Sequence, residues 1–393
     1  MKRYAPKHTR WLFTGPVVLL LLTLILSACN PDVGGGRSGS PTASAQHGNV
    51  HMIPTPGIQL GRQPCPDEVK DLAHWKGMVG LDSTQTVEEV LCGFLMGVPT
   101  LQAVVKVRSS SMDRLLDIHV YTAITSTHPT PIFSLKRLLH GDAVVSNYNT
   151  LMTAQVDPNS SQNKGVPVAQ LQTDLYREFK WSDRAGTLIQ VAFPGIYPDL
   201  TRYQAEFEQG QINTGQGYQQ WRLSALTTAQ YFAEFVLMWD PEAPTTVVSG
   251  GGAHDAMAVI LVKNPSAGGE TIRVALSRLE LNTNGGIWEV TSIETPGLSI
   301  TSPQNVQHLT SPVTVTGSKG ALAGKMTTIA VLDHDRLDVG HVTLTTGQSS
   351  FTSSIPYAAS LPGTTQEGIV ALYVSSGNGV IAATVMVKVL LSG

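Results

Sequence analysis

Two short runs place an imidazole beside carboxylates. His254-Asp255 follows Gly250-Gly251-Gly252, whose backbone amides could cradle an anion. The Lys-Ser/Thr that a phosphate loop requires is missing. Asp333-His334-Asp335, with Asp338 close behind, has the carboxylate density of a calcium site. Its position between two strand-like runs favours a plain hairpin turn with all three side chains in water. There is no G-x-S-x-G elbow, no H-E-x-x-H, and no S-x-x-K with supporting partners. Glu88-Glu89 reads as a solvated face. The expectation is a protein with no local catalytic motif, no metal and no cofactor. A hydrolase assembled from distant residues would instead show a buried Asp/His pair in a cleft.

The chain holds three cysteines: Cys29, Cys65 and Cys92. None has the close spacing of a zinc site or a catalytic-thiol signature. Lys2, Arg3, Lys7 and Arg10 precede an apolar run over residues 11–26, which is short for a membrane span of ~20 residues. The run closes on Leu26-Ser27-Ala28-Cys29. That sequence resembles the lipobox of bacterial lipoproteins. The resemblance implies diacylglyceryl attachment at Cys29, cleavage before it, and a stable two-chain anchor on the outer face of the cytoplasmic membrane. In that oxidising compartment Cys65 and Cys92 can pair, which stabilises by ~3 kcal/mol in the chain-entropy model, or remain two separate buried thiols.

Charged residues are 14% of the 393 and hydrophobic residues 42%, enough for ordered cores. Abundant Thr, Val, Gly and Ser lean toward β structure. The net charge is −3, and loss of residues 1–29 leaves 22 Lys+Arg against 29 Asp+Glu. No basic cluster survives, which excludes nucleic acid as a partner and leaves lipid as the means of membrane attachment.

The elements that must position these residues follow from periodicity. Residues 30–66 are a Gly/Ser/Pro-rich tether. An α+β region over 67–226 comes next. Val87, Val90, Leu91, Phe94 and Leu95 have helical spacing and predict a helix over 86–96. Strands are expected at 102–108 and 116–125, and an exposed polar loop at 157–170. The aromatic stretch from Tyr176 to Tyr203 reads as a core edge with an Asp199–Arg202 ion pair, or as a binding surface. Residues 227–296 read as a helix (227–239) followed by strands at 256–262, 270–281 and 287–293, with a turn over Asn282-Thr283-Asn284-Gly285-Gly286. This helix-plus-sheet ending in Trp288-Glu289-Val290 is similar to the end of NTF2-like domains. Such folds can house a pocket, here one lined by Phe235, Trp239 and Trp288.

From residue 298 the texture changes to seven short strands separated by turns, the pattern of a β-sandwich. Ile300-Thr301-Ser302-Pro303, the Ser-Pro-Val-Thr-Val-Thr-Gly run from Ser311, Phe351 before Tyr357, Gly368-Ile369-Val370-Ala371-Leu372-Tyr373 and Gly377-Asn378-Gly379 carry a likeness. They resemble the immunoglobulin-like domain of bacterial spore germination proteins, the Gmad2 type. Ala321-Leu322-Ala323-Gly324-Lys325-Met326 departs from it, where the family often has an aromatic-acidic pair. The resemblance implies an extracytoplasmic module that presents or binds something in the envelope. The leading expectation is a lipid-anchored, non-enzymatic envelope protein that binds or scaffolds a wall, coat or protein partner through residues 298–393. A small-molecule receptor or transporter accessory is the alternative.

Overall fold

The structure is a computed structural model that describes residues 61–266, 269–280, 285–377 and 379–393. The expected signal sequence, Cys29, the expected tether up to residue 60, Asn282 to Asn284 and Asn378 lie outside the described residues. The described chain is mostly β-sheet, with four α-helices among the described residues.

Two sheets form the first part. Strands β1 (Arg62–Gln63), β2 (Gln85–Gly93), β3 (Gln102–Ser109), β4 (Leu116–Thr122) and β5 (Thr130–Leu138) pair in that order, all antiparallel. Strands β6 (Asp142–Val145), β7 (Leu151–Gln155), β8 (Leu175–Ser182) and β9 (Thr187–Val191) form the second sheet. Alternation along β3 gives the first sheet two buried faces. Val104, with Leu91, Ile118 and Val120, meets Leu151 and Phe179 of the second sheet. Ala103, Val105 and Val107 face the other way, toward Trp75. Trp75 belongs to the short helix α2 (Leu72–Lys76), which follows α1 (Asp67–Lys70). It is fully buried and its indole nitrogen donates to Val69 O at 2.8 Å.

The helix expected over 86–96 is instead strand β2. A bulge between Val87 and Glu89 shifts the register against β3. The extra residue puts Val87 and Val90 on the same face, so a spacing of three arises in a strand. Cys92 joins them on the helix-facing side while Leu91 and Leu95 face the second sheet. Strand β1 also falls inside the expected tether. Arg62 and Gln63 pair with Gly93 and Cys92, and Cys65 is bonded to Cys92.

The middle of the chain adds two helices and four strands. Helix α3 (Arg202–Asn213) is capped by Thr201, whose side chain accepts from Gln204 N. It buries only Ala205 and Gln209, which is why no apolar stripe announces it. Helix α4 (Ala225–Phe235) is capped by Ser224, whose side chain accepts from Thr227 N, so it starts two residues before the expected 227. It ends before the expected residue 239, with Met238 in the left-handed region at φ 59°. Strands β10 (Thr245–Gly250), β11 (Met257–Lys263), β12 (Thr271–Ser277) and β13 (Glu289–Glu294) run antiparallel. Phe232 of α4 packs on Ile260, Val274 and Trp288.

The C-terminal part contains β14 (Ser299–Ser302), β15 (Gln307–Leu309), β16 (Val313–Ser318), β17 (Thr327–Leu332), β18 (Asp338–Leu344), β19 (Ser350–Ile355), β20 (Thr365–Gly377) and β21 (Val380–Ser392). Strands β14-β16-β19 make one sheet. Its inner residues Val313, Val315, Phe351 and Ile355 pack on Ile329, Val331, Leu372 and Val389 of the other. That other sheet is nine-stranded, in the order β10-β11-β12-β13-β21-β20-β17-β18, with β15 parallel to β21. The sheet therefore continues across residues 296–298. Ile293 lies opposite Met386, and Ile369, Ala371 and Met386 share a core with α4.

Candidate functional site

The loop after β7 is largely exposed, as expected, but a few of its polar side chains are turned inward. Asp157, Ser160, Asn163 and Asp174 are all buried. Asn163 ties the two ends of the loop together: its Nδ2 donates to Asp157 O (3.1 Å), Gln172 O (2.8 Å) and Asp174 Oδ2 (2.7 Å), and its Oδ1 accepts from Gln172 N. Asp157 N donates to Asp174 Oδ1 at 2.7 Å. Side chains thus supply the partners that a ladder would give a strand.

The turn between β17 and β18 folds onto this loop. Asp333 Oδ1 accepts from Asp335 N and Leu337 N, both at 2.9 Å, so the expected Asp-made turn is present. Its side chains are not solvated, however. Asp333 is 2% exposed and His334 8%. The turn delivers His334 Nε2 to 3.9 Å from both Asp157 Oδ2 and Asp335 Oδ1. His334 Nδ1 is hydrogen-bonded to Gln366 Oε1, Ser360 Oγ donates to Asp157 Oδ2, and Gln162 Nε2 donates to Asp335 Oδ1 at 3.3 Å. Burial pushes the carboxyls of Asp174, Asp333 and Asp335 above the ordinary carboxylate range, and His334 pulls the other way on each. Asp338, the other acid of the sequence motif, is not part of this group. It pairs with His341 Nδ1 at 2.9 Å on exposed strand β18.

Buried ion pairs fasten the neighbouring segment 193–203. The expected Asp199–Arg202 pair does not form. Asp199 instead pairs with Arg222, which also binds the fully buried Glu289. Arg202 reaches Glu178 at 2.7 Å and Glu280 at 3.2 Å. Lys388 Nζ, fully buried, donates to Glu367 Oε2 at 2.9 Å and to the carbonyls of Gly195 and Leu200. Phe193, Ile196, Tyr197 and Leu200 are buried, so the aromatic stretch is a core edge there.

The other sequence candidates lie apart. His254 is exposed, and Asp255 Oδ2 accepts from Gly252 N at 2.8 Å, closing the β10–β11 turn. Glu88 pairs with Arg108, and Glu89 with Arg62 and Lys106, on a sheet and not on a helix face. Trp239 and Trp288 are core residues and Phe235 is 59% exposed, so the three do not line a shared pocket. A half-open cleft of about 310 Å³ lies elsewhere, bordered by Lys136, Arg137, Gln155, Arg177 and Leu361, and by none of the cluster's carboxylates. Cys65 and Cys92 are joined by a disulfide with Cα atoms 5.2 Å apart.

Compared with known proteins, the chain matches no family model and no curated sequence.

Proposed function

We propose that this chain is a lipid-anchored, non-enzymatic protein of the bacterial envelope that binds cell-wall polymer through its C-terminal sandwich. Residues 2–29 support the anchor at Cys29 on the outer face of the cytoplasmic membrane. The Cys65–Cys92 bond supports an oxidising compartment. The order β14-β16-β19 against β18-β17-β20-β21, with β15 parallel to β21, supports an immunoglobulin-like module of the Gmad2 type. Helix α4 over β10–β13, with Trp288 immediately before β13, supports the NTF2-like reading of the preceding segment.

The observation that carries the binding assignment is the outer face of the three-stranded sheet. Val313 and Val315 point inward, so Thr314 and Thr316 point outward. Opposite them on β19 stand Ser354 and Thr352. Thr301 Oγ1 lies 2.9 Å from Thr316 Oγ1 and extends the row onto β14. This is an uncharged hydroxyl surface, suited to hydrogen-bond a neutral hydroxyl-bearing polymer such as a wall glycan. Co-sedimentation of the full chain with purified cell wall tests it. Thr314→Lys with Ser354→Lys should abolish pelleting without altering the fold. Equal pelleting of the variant would reject this face.

A receptor for a small anionic molecule is the second reading. Lys136, Arg137 and Arg177 border the 310 Å³ cleft, and the Arg177 side chain donates to Gln155 Oε1 and not to a carboxylate. Burial lowers the Arg177 guanidinium to about 10, a cost that an anion would offset.

A further inference from the structure

We propose that Asp157, Asp174, His334 and Asp335 bind one divalent transition-metal cation, of which Zn²⁺ is the probe of choice. The ligand atoms of Asp174, His334 and Asp335 all lie within 4.8 Å of one another. Asp157 Oδ2 faces the same imidazole nitrogen at 3.9 Å.

The imidazole points to a cation directly. The His334 side chain is only 2% exposed, and its Nε2 has no hydrogen-bond partner. Nδ1 is hydrogen-bonded to the side-chain oxygen of Gln366. Nε2 then stands buried and unpartnered, 3.9 Å from two carboxylate oxygens, which is where a cation would sit. The partner on Nδ1 is the kind that orients a metal-bound histidine. Asp335 Oδ2 is likewise buried without a partner.

Charge leads to the same place. Asp157, Asp174, Asp333 and Asp335 are gathered here, and among the described residues no lysine or arginine pairs with any of them. Buried carboxylates are ordinarily paired or coordinated. The donor set of one imidazole and several carboxylates fits Zn²⁺ better than Ca²⁺, which takes oxygen ligands. Tetrahedral bonds of ~2.1 Å put neighbouring donors ~3.4 Å apart, so the ligand atoms of Asp174, His334 and Asp335, now within 4.8 Å, would draw together by up to ~1.4 Å on binding. The ion would join the 157–174 loop of the first sandwich to the β17–β18 turn of the C-terminal part.

The test uses the full chain in detergent micelles, stripped with EDTA and titrated calorimetrically with Zn²⁺ and separately with Ca²⁺. The expected result is one Zn²⁺ per chain, bound more tightly than Ca²⁺. His334→Gln should weaken binding at least 100-fold and Asp335→Asn at least tenfold. His341→Ala, which removes the exposed His341–Asp338 pair, should leave binding unchanged. X-ray absorption of the wild-type adduct, which needs no variant to fold, should show one imidazole among oxygen ligands. Failure of the wild type to bind Zn²⁺ would overturn the assignment, as would undiminished binding by a folded His334→Gln chain, tighter binding of Ca²⁺, or a zinc shell without imidazole.

Discussion

Removing the Cys65–Cys92 bond should cost the first sandwich about 3.5 kcal/mol. The two cysteines are 27 residues apart and enclose α1, α2 and Trp75. In the chain-entropy relation, closing a loop of that length removes ~12 cal/mol/K from the unfolded ensemble, or about 3.5 kcal/mol at 25 °C. That is a factor of several hundred in the folding equilibrium. The sulfur atoms also fill space, since Cys92 is fully buried and Cys65 is 9% exposed, so a double change to alanine adds a smaller packing loss. The assay is urea unfolding of wild type and Cys65→Ala/Cys92→Ala, followed by tryptophan fluorescence. Trp75 packs in the same core as the bond and reports on it. The variant and the wild type under dithiothreitol should both show an earlier transition in that signal. Coincident curves with and without reductant would refute the loop-closure reasoning.

Trp75→Ala should destabilise by ~4 kcal/mol, because the indole is fully buried and its nitrogen is satisfied by Val69 O; thermal unfolding measures this. Burial raises the Glu206 carboxyl from 4.5 to about 7. The folded state then holds a proton that the unfolded state has released, so stability should fall as pH rises from 4.5 to 7 and level off above. Glu206→Gln should flatten that slope in denaturant titrations across the window, and an unchanged slope would exclude Glu206 as its source. Cys29→Ala should leave an unlipidated precursor that retains residues 1–28; mass spectrometry of the N-terminus checks it, and a cleaved, lipid-modified N-terminus in the variant would count against the anchor.

Much of the sheet structure was legible because alternation survives wherever a strand is regular. The Val-Thr run from Ser311 forms strand β16, with Val313 and Val315 pointing inward. The misreading of residues 86–96 has a local cause, since the bulge before Glu89 makes a strand imitate a helical spacing. Helix α3 has the opposite problem, being polar almost throughout. The candidate metal cluster was half legible. Asp333-His334-Asp335 stands out in the chain, but local turn propensity predicts solvated side chains there. Its partners Asp157 and Asp174 are more than 150 positions away, and only tertiary packing brings them beside His334. Asp157-Pro158-Asn159-Ser160-Ser161 is turn-forming by composition, and nothing in that composition says that Asp157 and Ser160 will be buried. The ion pairs fail in sequence for the same reason: Arg202 is three residues from Asp199 yet answers Glu178 and Glu280.

Hydrogen exchange of the full chain with and without soluble wall fragments tests the proposed function most directly. The account predicts slowed exchange in residues 299–302, 313–318 and 350–355, the three strands that carry the hydroxyl face. Protection confined to residues around Lys136, Arg137 and Arg177, or none at any position, would contradict it.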